Sequence, residues 1–187
     1  MELIQWQRAQ EAERCFHNED YDTGYRHYAE SYEQYFKYLG IDRNCEGEQI
    51  IEIGPADFPA LAYCYNTEQC KIIEPMPSEY LKRFGIEIIE EMAEDVKYEA
   101  TEVWLFNVLQ HTLNPEKIVR RAKQQSQCIR YFEPIDYGVD ECHLWNLTEK
   151  MFKEWFGNVV NIWRAGQEVK NFHTWKCCYG VWSQNNL

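Results

Sequence analysis

The feature that most constrains this chain is an alternation of element types that begins at Gln49. Short apolar β-type runs occur at Gln49–Ile53, Lys71–Glu74, Ile86–Ile89, Glu102–Phe106 and Cys128–Phe132. Three of the intervals between them carry helical signals, near Pro59–Asn66, at Ser78–Phe84 and at Pro115–Lys123, the last opening on proline with Asn114 as its cap. Strands that alternate with helices in this way are joined by crossovers, which predicts an α/β architecture with a mainly parallel sheet. A further helix at Thr148–Phe156, capped by Thr148 and stopped by Gly157, precedes two β-rich runs, Val159–Trp163 and Thr174–Trp182. No helical pattern separates that final pair, so it is predicted as an antiparallel hairpin at one edge.

Ahead of the alternation the pattern is helical. Trp6, Ala9, Ala12, Glu13 and Phe16 recur at three- and four-residue spacing, and Asn18–Gly24 breaks the run. A second helix is predicted over Tyr25–Leu39, with Tyr28, Tyr32, Tyr35, Phe36 and Leu39 on one stripe and Gly40 as its stop. Such a stripe either packs the helices onto the sheet or lines a pocket for a small flat substrate; packing is the commoner use of aromatic side chains. With 187 residues, the chain is predicted to be a single domain, with 1–45 as an N-terminal helical lid and 46–187 as the α/β core.

Charge narrows the partners. The formal net charge is −12, and residues 1–100 hold 22 Asp/Glu against 9 Lys/Arg. Nucleic-acid binding depends on basic surfaces that neutralise phosphates, so a nucleic-acid partner is not expected, nor is an anionic membrane. No apolar run approaches the length of a membrane span, and the start at Met1–Ile4 lacks the basic and apolar regions of a signal peptide. The eight cysteines include no C-x-x-C pair and are read as reduced thiols of a cytoplasmic protein. Cys142-His143 is the nearest approach to a zinc nucleus, and no metal site is predicted.

The chemistry concentrates at strand ends. In Glu52-Ile53-Gly54-Pro55-Ala56 a strand ends at a glycine, whose missing Cβ lets a ligand approach the backbone. Glu74 ends the next strand, 20 residues beyond Gly54, where a carboxylate can accept hydrogen bonds from both hydroxyls of a ribose. The pair points to a nucleoside cofactor. The turn lacks the G-x-G-x-x-G glycines that a pyrophosphate needs, and no P-loop occurs. Glu52 would repel phosphate but suits a cationic or zwitterionic ligand. These points favour S-adenosylmethionine over NAD, FAD or ATP.

On these residues the chain resembles the class I S-adenosylmethionine-dependent methyltransferases over most of its length. Glu52-Ile53-Gly54-Pro55-Ala56 is similar to their first motif, E-x-G-x-G, although Ala56 and Phe58 stand where the family has glycines. Ile73-Glu74-Pro75-Met76 resembles the second motif, and Met92-Ala93-Glu94-Asp95 the segment that contacts adenine. Val103 through Asn107 to His111 looks like the fourth strand and its exit loop. Cys142-His143-Leu144, with Leu147-Thr148, resembles the late segment before the last hairpin. Trp6, Ala9-Gln10 and Glu13 look like the N-terminal helices that lid the site in small members.

The resemblance implies a Rossmann-like methyltransferase fold, with a mostly parallel seven-stranded sheet, a C-terminal antiparallel hairpin and N-terminal helices over the site. It implies cofactor contacts from Glu52, Ile53, Gly54, Pro55, Ala56, Glu74, Pro75, Met76, Glu94, Asp95 and Asn107. It also implies in-line methyl transfer to a small-molecule acceptor, leaving S-adenosylhomocysteine. His111, and after it His143, are the candidate catalytic residues, because imidazole titrates near neutral pH. Two alternatives stay open: a methyltransferase-like binding module without turnover, and an NAD-dependent oxidoreductase. An antiparallel tail would argue against the latter.

Overall fold

In the computed structural model, residues 3–16, 21–157, 160–164 and 176–186 are described. Two helices, α1 (Leu3–Phe16) and α2 (Tyr21–Leu39), precede a seven-stranded sheet. Its strands are β1 (Ile50–Ile53), β2 (Lys71–Ile73), β3 (Glu87–Ile89), β4 (Ala100–Phe106), β5 (Ser126–Ile135), β6 (Asn161–Arg164) and β7 (Lys176–Ser183). They lie in the order β3-β2-β1-β4-β5-β7-β6. Pairing is parallel from β3 through β5, while β7 runs antiparallel to both β5 and β6. This is the mixed sheet and antiparallel tail expected of a Rossmann-like methyltransferase fold, and it departs from an all-parallel dinucleotide sheet.

Alternate side chains of the central strands serve two cores. Ile51, Ile53, Val103 and Leu105 face α4 (Pro115–Gln125) and α5 (Glu149–Phe156), packing with Ile118, Val119, Phe152 and Phe156. Ile50, Trp104, Phe106 and Phe132 face α2, packing with Tyr32, Tyr35, Phe36 and Leu39. The tyrosine stripe of α2 is therefore a wall of the core on this face, together with Leu61 and Leu81. Where a strand is buried on both faces, the sequence reads as a near-continuous apolar run. Glu102 and Arg130 interrupt that pattern as a bidentate pair on neighbouring strands, at 2.7 and 2.8 Å. Arg130 also donates to the Leu39 carbonyl at the end of α2. Burial would raise the Glu102 carboxyl, but the hydrogen bonds from Arg130 and Trp104 outweigh it and hold the group below its ordinary value.

The caps follow the sequence. Asn114 accepts from Lys117 N–H, Thr148 from Met151 N–H, and Gly157 ends α5 with φ 86°. Other boundaries differ. α2 begins at Tyr21 and runs through Gly24, whereas residues 18–20 of the expected break lie outside the described residues. Gly24 earns its place by packing: a Cβ there would sit 2.7 Å from the Phe58 ring. The helix expected near Pro59–Asn66 is a single 3-10 turn, Ala60–Tyr63, because Glu52 captures its first free N–H groups and Asn66 turns left-handed at φ 58°. The helix α3 is likewise brief, Glu79–Lys82, with Ser78 as cap. β5 continues three residues beyond Phe132, since its neighbour β7 pairs with Glu133, Pro134 and Ile135. The predicted strand starts at Val159 and Thr174 also lie outside the described residues.

Candidate active site

Strand order reverses direction between β1 and β4, and at such a switch point the loops leaving the two carboxyl ends diverge to open a crevice. A cavity of about 670 Å³ lies there, within the range usual for small-molecule sites. It is lined by Ile53, Gly54, Pro55 and Ala56 after β1, by Glu74, Pro75 and Met76 after β2, and by Met92, Ala93 and Glu94 after β3. Asn107 and His111 line it from the loop after β4, and Trp6, Gln10 and Glu13 from α1. Three of the residues expected at the site do not line it: Glu52, Asp95 and His143.

The β1 turn is shaped by close approach. Gly54 has φ 60°, and a Cβ on it would fall 2.2 Å from Val108 Cγ2, so only glycine lets the loops after β1 and β4 meet. Ala56 is left-handed as well, at φ 53°. The backbone therefore keeps the glycine-like turn although the side chain is alanine, at a cost of about 1–2 kcal/mol. Ala56→Gly is expected to raise unfolding free energy by about 0.5–1 kcal/mol, after the entropy of the added glycine is subtracted; chemical denaturation would measure it. Phe58 occupies the place of another family glycine. Its ring stacks on Tyr28 with centroids 5.2 Å apart, and the space it needs is the space that Gly24 leaves on α2.

Two buried carboxylates hold the loops from beneath. Glu52 Oε1 and Oε2 accept from Ala60 and Leu61 N–H at 2.7 and 2.9 Å. Burial pushes its carboxyl up to about 7, against the lowering effect of those two bonds. Glu133, at the far end of β5, does the same for the loop after β4, accepting from Val108 N–H at 3.0 Å and Leu109 N–H at 3.2 Å. Burial pushes Glu133 up to about 8. Sequence reasoning missed Glu133; a lone acidic residue in an otherwise apolar β-type run was the available signal.

At the strand ends Glu74 is buried and accepts from Met76 N–H at 2.9 Å, which fixes its carboxylate at the cavity. Glu94 is also buried and accepts from Asn114 N–H at 3.0 Å. Asp95 is exposed instead and pairs with Lys117 on α4 at 2.8 Å. Asn107 adopts φ 56°, a conformation asparagine tolerates, and its Oδ1 accepts from Gln110 Nε2 at 2.9 Å.

His111 sits where α1 meets the β4 loop. Its Nδ1 lies 3.2 Å from Glu13 Oε2 and 3.2 Å from the Cys142 carbonyl. Both are acceptors, so Nδ1 carries the proton. Its Nε2 lies 3.2 Å from the Gln110 amide nitrogen, a donor, so that ring nitrogen accepts. Both ring nitrogens are thus engaged inside the protein. Gln10 reinforces the network by donating to the His111 carbonyl at 3.3 Å. His143 stands behind this group, 2.7 Å from Asp140 and with its ring centroid 4.8 Å from that of His111.

No protein-family model matches this sequence, and no curated protein matches it. Solved structures do match the fold. The N-methyltransferase NodS from Bradyrhizobium japonicum, with bound S-adenosylhomocysteine, is similar at 13% identity and a TM-score of 0.62, over 94% of this chain and 97% of that one. Magnesium protoporphyrin IX methyltransferase from Synechocystis, with the same ligand, is similar at 12% identity and TM-score 0.61, over 96% and 94%. An S-adenosylmethionine-dependent methyltransferase from Aquifex aeolicus gives 12% identity and TM-score 0.54, over 79% and 87%. The chain thus has the Rossmann-like fold of class I S-adenosylmethionine-dependent methyltransferases. Among the described residues no helix is long and apolar enough to cross a membrane.

Proposed function

We propose that this protein is an S-adenosylmethionine-dependent methyltransferase acting on a small-molecule acceptor. The observation that carries the reading is the convergence of Gly54, Glu74, Met76, Glu94 and Asn107 on one cavity at the β1/β4 switch point. Gly54 leaves the backbone open to the cofactor's methionine portion, Glu74 takes the ribose hydroxyls, and Met76 with Ala93 flanks the adenine. When bound, S-adenosylmethionine supplies a methyl group on a sulfonium, already activated for in-line displacement. The chain's part is then to align the acceptor and exclude water. Closure by α1 serves the second task, because Trp6 and Ala9 pack with Leu144 over Met76 and Met92.

His111 suits a positioning role, since both of its ring nitrogens are engaged and its Nδ1–H points at Glu13. His143 backs that ring from outside the cavity lining. The NAD alternative is weakened by the antiparallel β7 and by a turn without pyrophosphate glycines.

Titration calorimetry with S-adenosylhomocysteine tests the reading. The expected result is binding by the parent protein and a loss of about 100-fold or more in Glu74→Ala, equivalent to two charge-assisted ribose hydrogen bonds at about 1.5 kcal/mol each. Absence of binding by the parent would reject the cofactor, and an unchanged dissociation constant in Glu74→Ala would reject the ribose assignment.

A further inference from the structure

Gln110 is a side-chain amide in an unusual place, buried at 1% relative exposure in the 3-10 turn Leu109–His111 that follows β4. Its Nε2 donates to Asn107 Oδ1 at 2.9 Å and stands 3.2 Å from His111 Nε2. Asn107 and His111 both line the cavity, whereas Gln110 lies behind them. We infer that Gln110 is a positioning residue: it sets which end of the Asn107 amide faces the cavity, and it takes that setting from whether His111 Nε2 carries a proton.

The ring is anchored at its other nitrogen. Nδ1 lies 3.2 Å from Glu13 Oε2 and 3.2 Å from the Cys142 carbonyl, two acceptors, so it holds a proton in the neutral and in the charged imidazole alike. Protonation therefore changes Nε2 alone. While Nε2 has no proton, the two amide hydrogens of Gln110 are divided between Nε2 and Asn107 Oδ1. The Asn107 amide then has its Nδ2–H2 end left for a ligand.

Once Nε2 gains a proton, it becomes a donor facing a donor. A charged N–H left unpaired in a buried site is costly. A half-turn of the Gln110 amide removes the conflict, and because its oxygen and nitrogen are close in size the packing around it is kept. Oε1 then stands where Nε2 stood, with two lone pairs in place of two hydrogens. One lone pair accepts from His111 Nε2–H. The other calls for a donor from Asn107, so that amide turns as well and presents Oδ1 to the cavity. One proton on the ring thus converts a donor at the ligand site into an acceptor.

The surroundings confine the change to these side chains. The Gln110 carbonyl is held by Leu144 N–H at 2.8 Å and Trp145 N–H at 3.2 Å, and Asn107 N–H donates to the Phe132 carbonyl at 3.0 Å. Three titratable neighbours meet the ring or its loop from other elements. Glu13 on α1 meets Nδ1, and His143 stands with its ring centroid 4.8 Å away and its own Nδ1 2.7 Å from Asp140. Glu133 on β5 accepts from the backbone of Val108 and Leu109. Among the described residues, the group facing Nε2 is Gln110.

The link from ring to amide stands on these contacts, while its effect on a ligand rests on the methyltransferase reading. NMR of the ligand-free full chain, from pH ~5 to ~9 to bracket the usual titration of imidazole, follows the His111 ring and the Asn107 side-chain amide. The Asn107 Nδ2–H2 signals are expected to move with the midpoint of the His111 ring. In Gln110→Met, similar in shape but without the amide, the ring should still titrate and Asn107 should no longer follow it. In His111→Gln the Asn107 signals should stay constant, which decides the question even if Gln110→Met does not fold. Asn107 signals that stay constant in the parent overturn the inference. So do signals that follow a midpoint other than that of His111, or that keep their pH dependence in either variant. Binding of S-adenosylhomocysteine is expected to differ by about 10-fold between the two ends of the titration, the worth of one hydrogen bond to the Asn107 amide, and to lose that step in Gln110→Met. Binding by the parent without such a step overturns the positioning role. Absence of binding by the parent instead removes the methyltransferase reading, and the NMR result then decides the link by itself.

Discussion

Glu133→Ala is expected to destabilise the fold by about 3 kcal/mol, chiefly by leaving the Val108 and Leu109 N–H groups buried without an acceptor. The residue is fully buried in the middle of the sheet, so the truncated side chain also leaves a cavity. The loop it holds carries Asn107 and His111, and S-adenosylhomocysteine affinity is expected to fall with stability. A pH dependence follows from the same burial. In the unfolded chain a glutamate titrates near ~4.3, whereas burial places Glu133 at about 8 and Glu52 at about 7 in the fold. The native state therefore keeps these two protons over a range in which the unfolded state has lost them. Stability is highest below the unfolded value and falls as pH rises, by up to about 1.4 kcal/mol per pH unit for each group, until the native carboxyls have ionised. Denaturant unfolding from pH ~5 to ~8 should show this fall, and Glu133→Gln should remove about half of its slope, Glu52 supplying the rest. A Glu133→Gln protein with an unchanged slope would exclude Glu133 as its source.

The second large effect is expected from Gly54→Ala. The added Cβ would lie 2.2 Å from Val108 Cγ2 in a backbone already at φ 60°. Left-handed strain of about 1–2 kcal/mol combines with the displacement of Val108, for a total of about 2–3 kcal/mol. Because Val108 belongs to the loop that Glu133 anchors, the shift moves the β1 and β4 exits apart at the switch point. Binding of S-adenosylhomocysteine is expected to weaken by about 10-fold or more, beyond what stability alone accounts for. Calorimetry on the folded variant, with its unfolding curve measured in parallel, separates the two losses. Unchanged binding would show that the ligand does not depend on this turn. The contrast with Ala56→Gly is instructive: two left-handed positions, two residues apart, respond in opposite directions because one already carries the side chain that strains it.

Much of the frame was legible in the sequence because it rests on local rules. Strand runs at Gln49–Ile53 and Glu102–Phe106, the caps Asn114 and Thr148, and the spacing of Gly54 from Glu74 are set by backbone preferences and side-chain periodicity over a few residues. What escaped the sequence involves residues brought together only by the crossovers. Gly24 and Phe58 exchange volume across two elements, so the glycine missing from the motif reappears on a helix. Glu52 reads as a cofactor residue by its place in the motif, yet its side chain turns beneath the loop to hold Ala60 and Leu61. Asp95 and His143 lie beside residues that line the cavity but face Lys117 and Asp140.

The sequence by itself determined the alternation, the parallel core and the glycine–acidic register on which the proposed cofactor reading rests, since each depends on residues close in the chain. Only the tertiary structure decided the environment of Glu133 and the Glu13–His111 contact, whose two residues stand on α1 and on the loop after β4. Their chemistry comes from burial and from the donors facing them, and both are fixed by how the helices lie on the sheet.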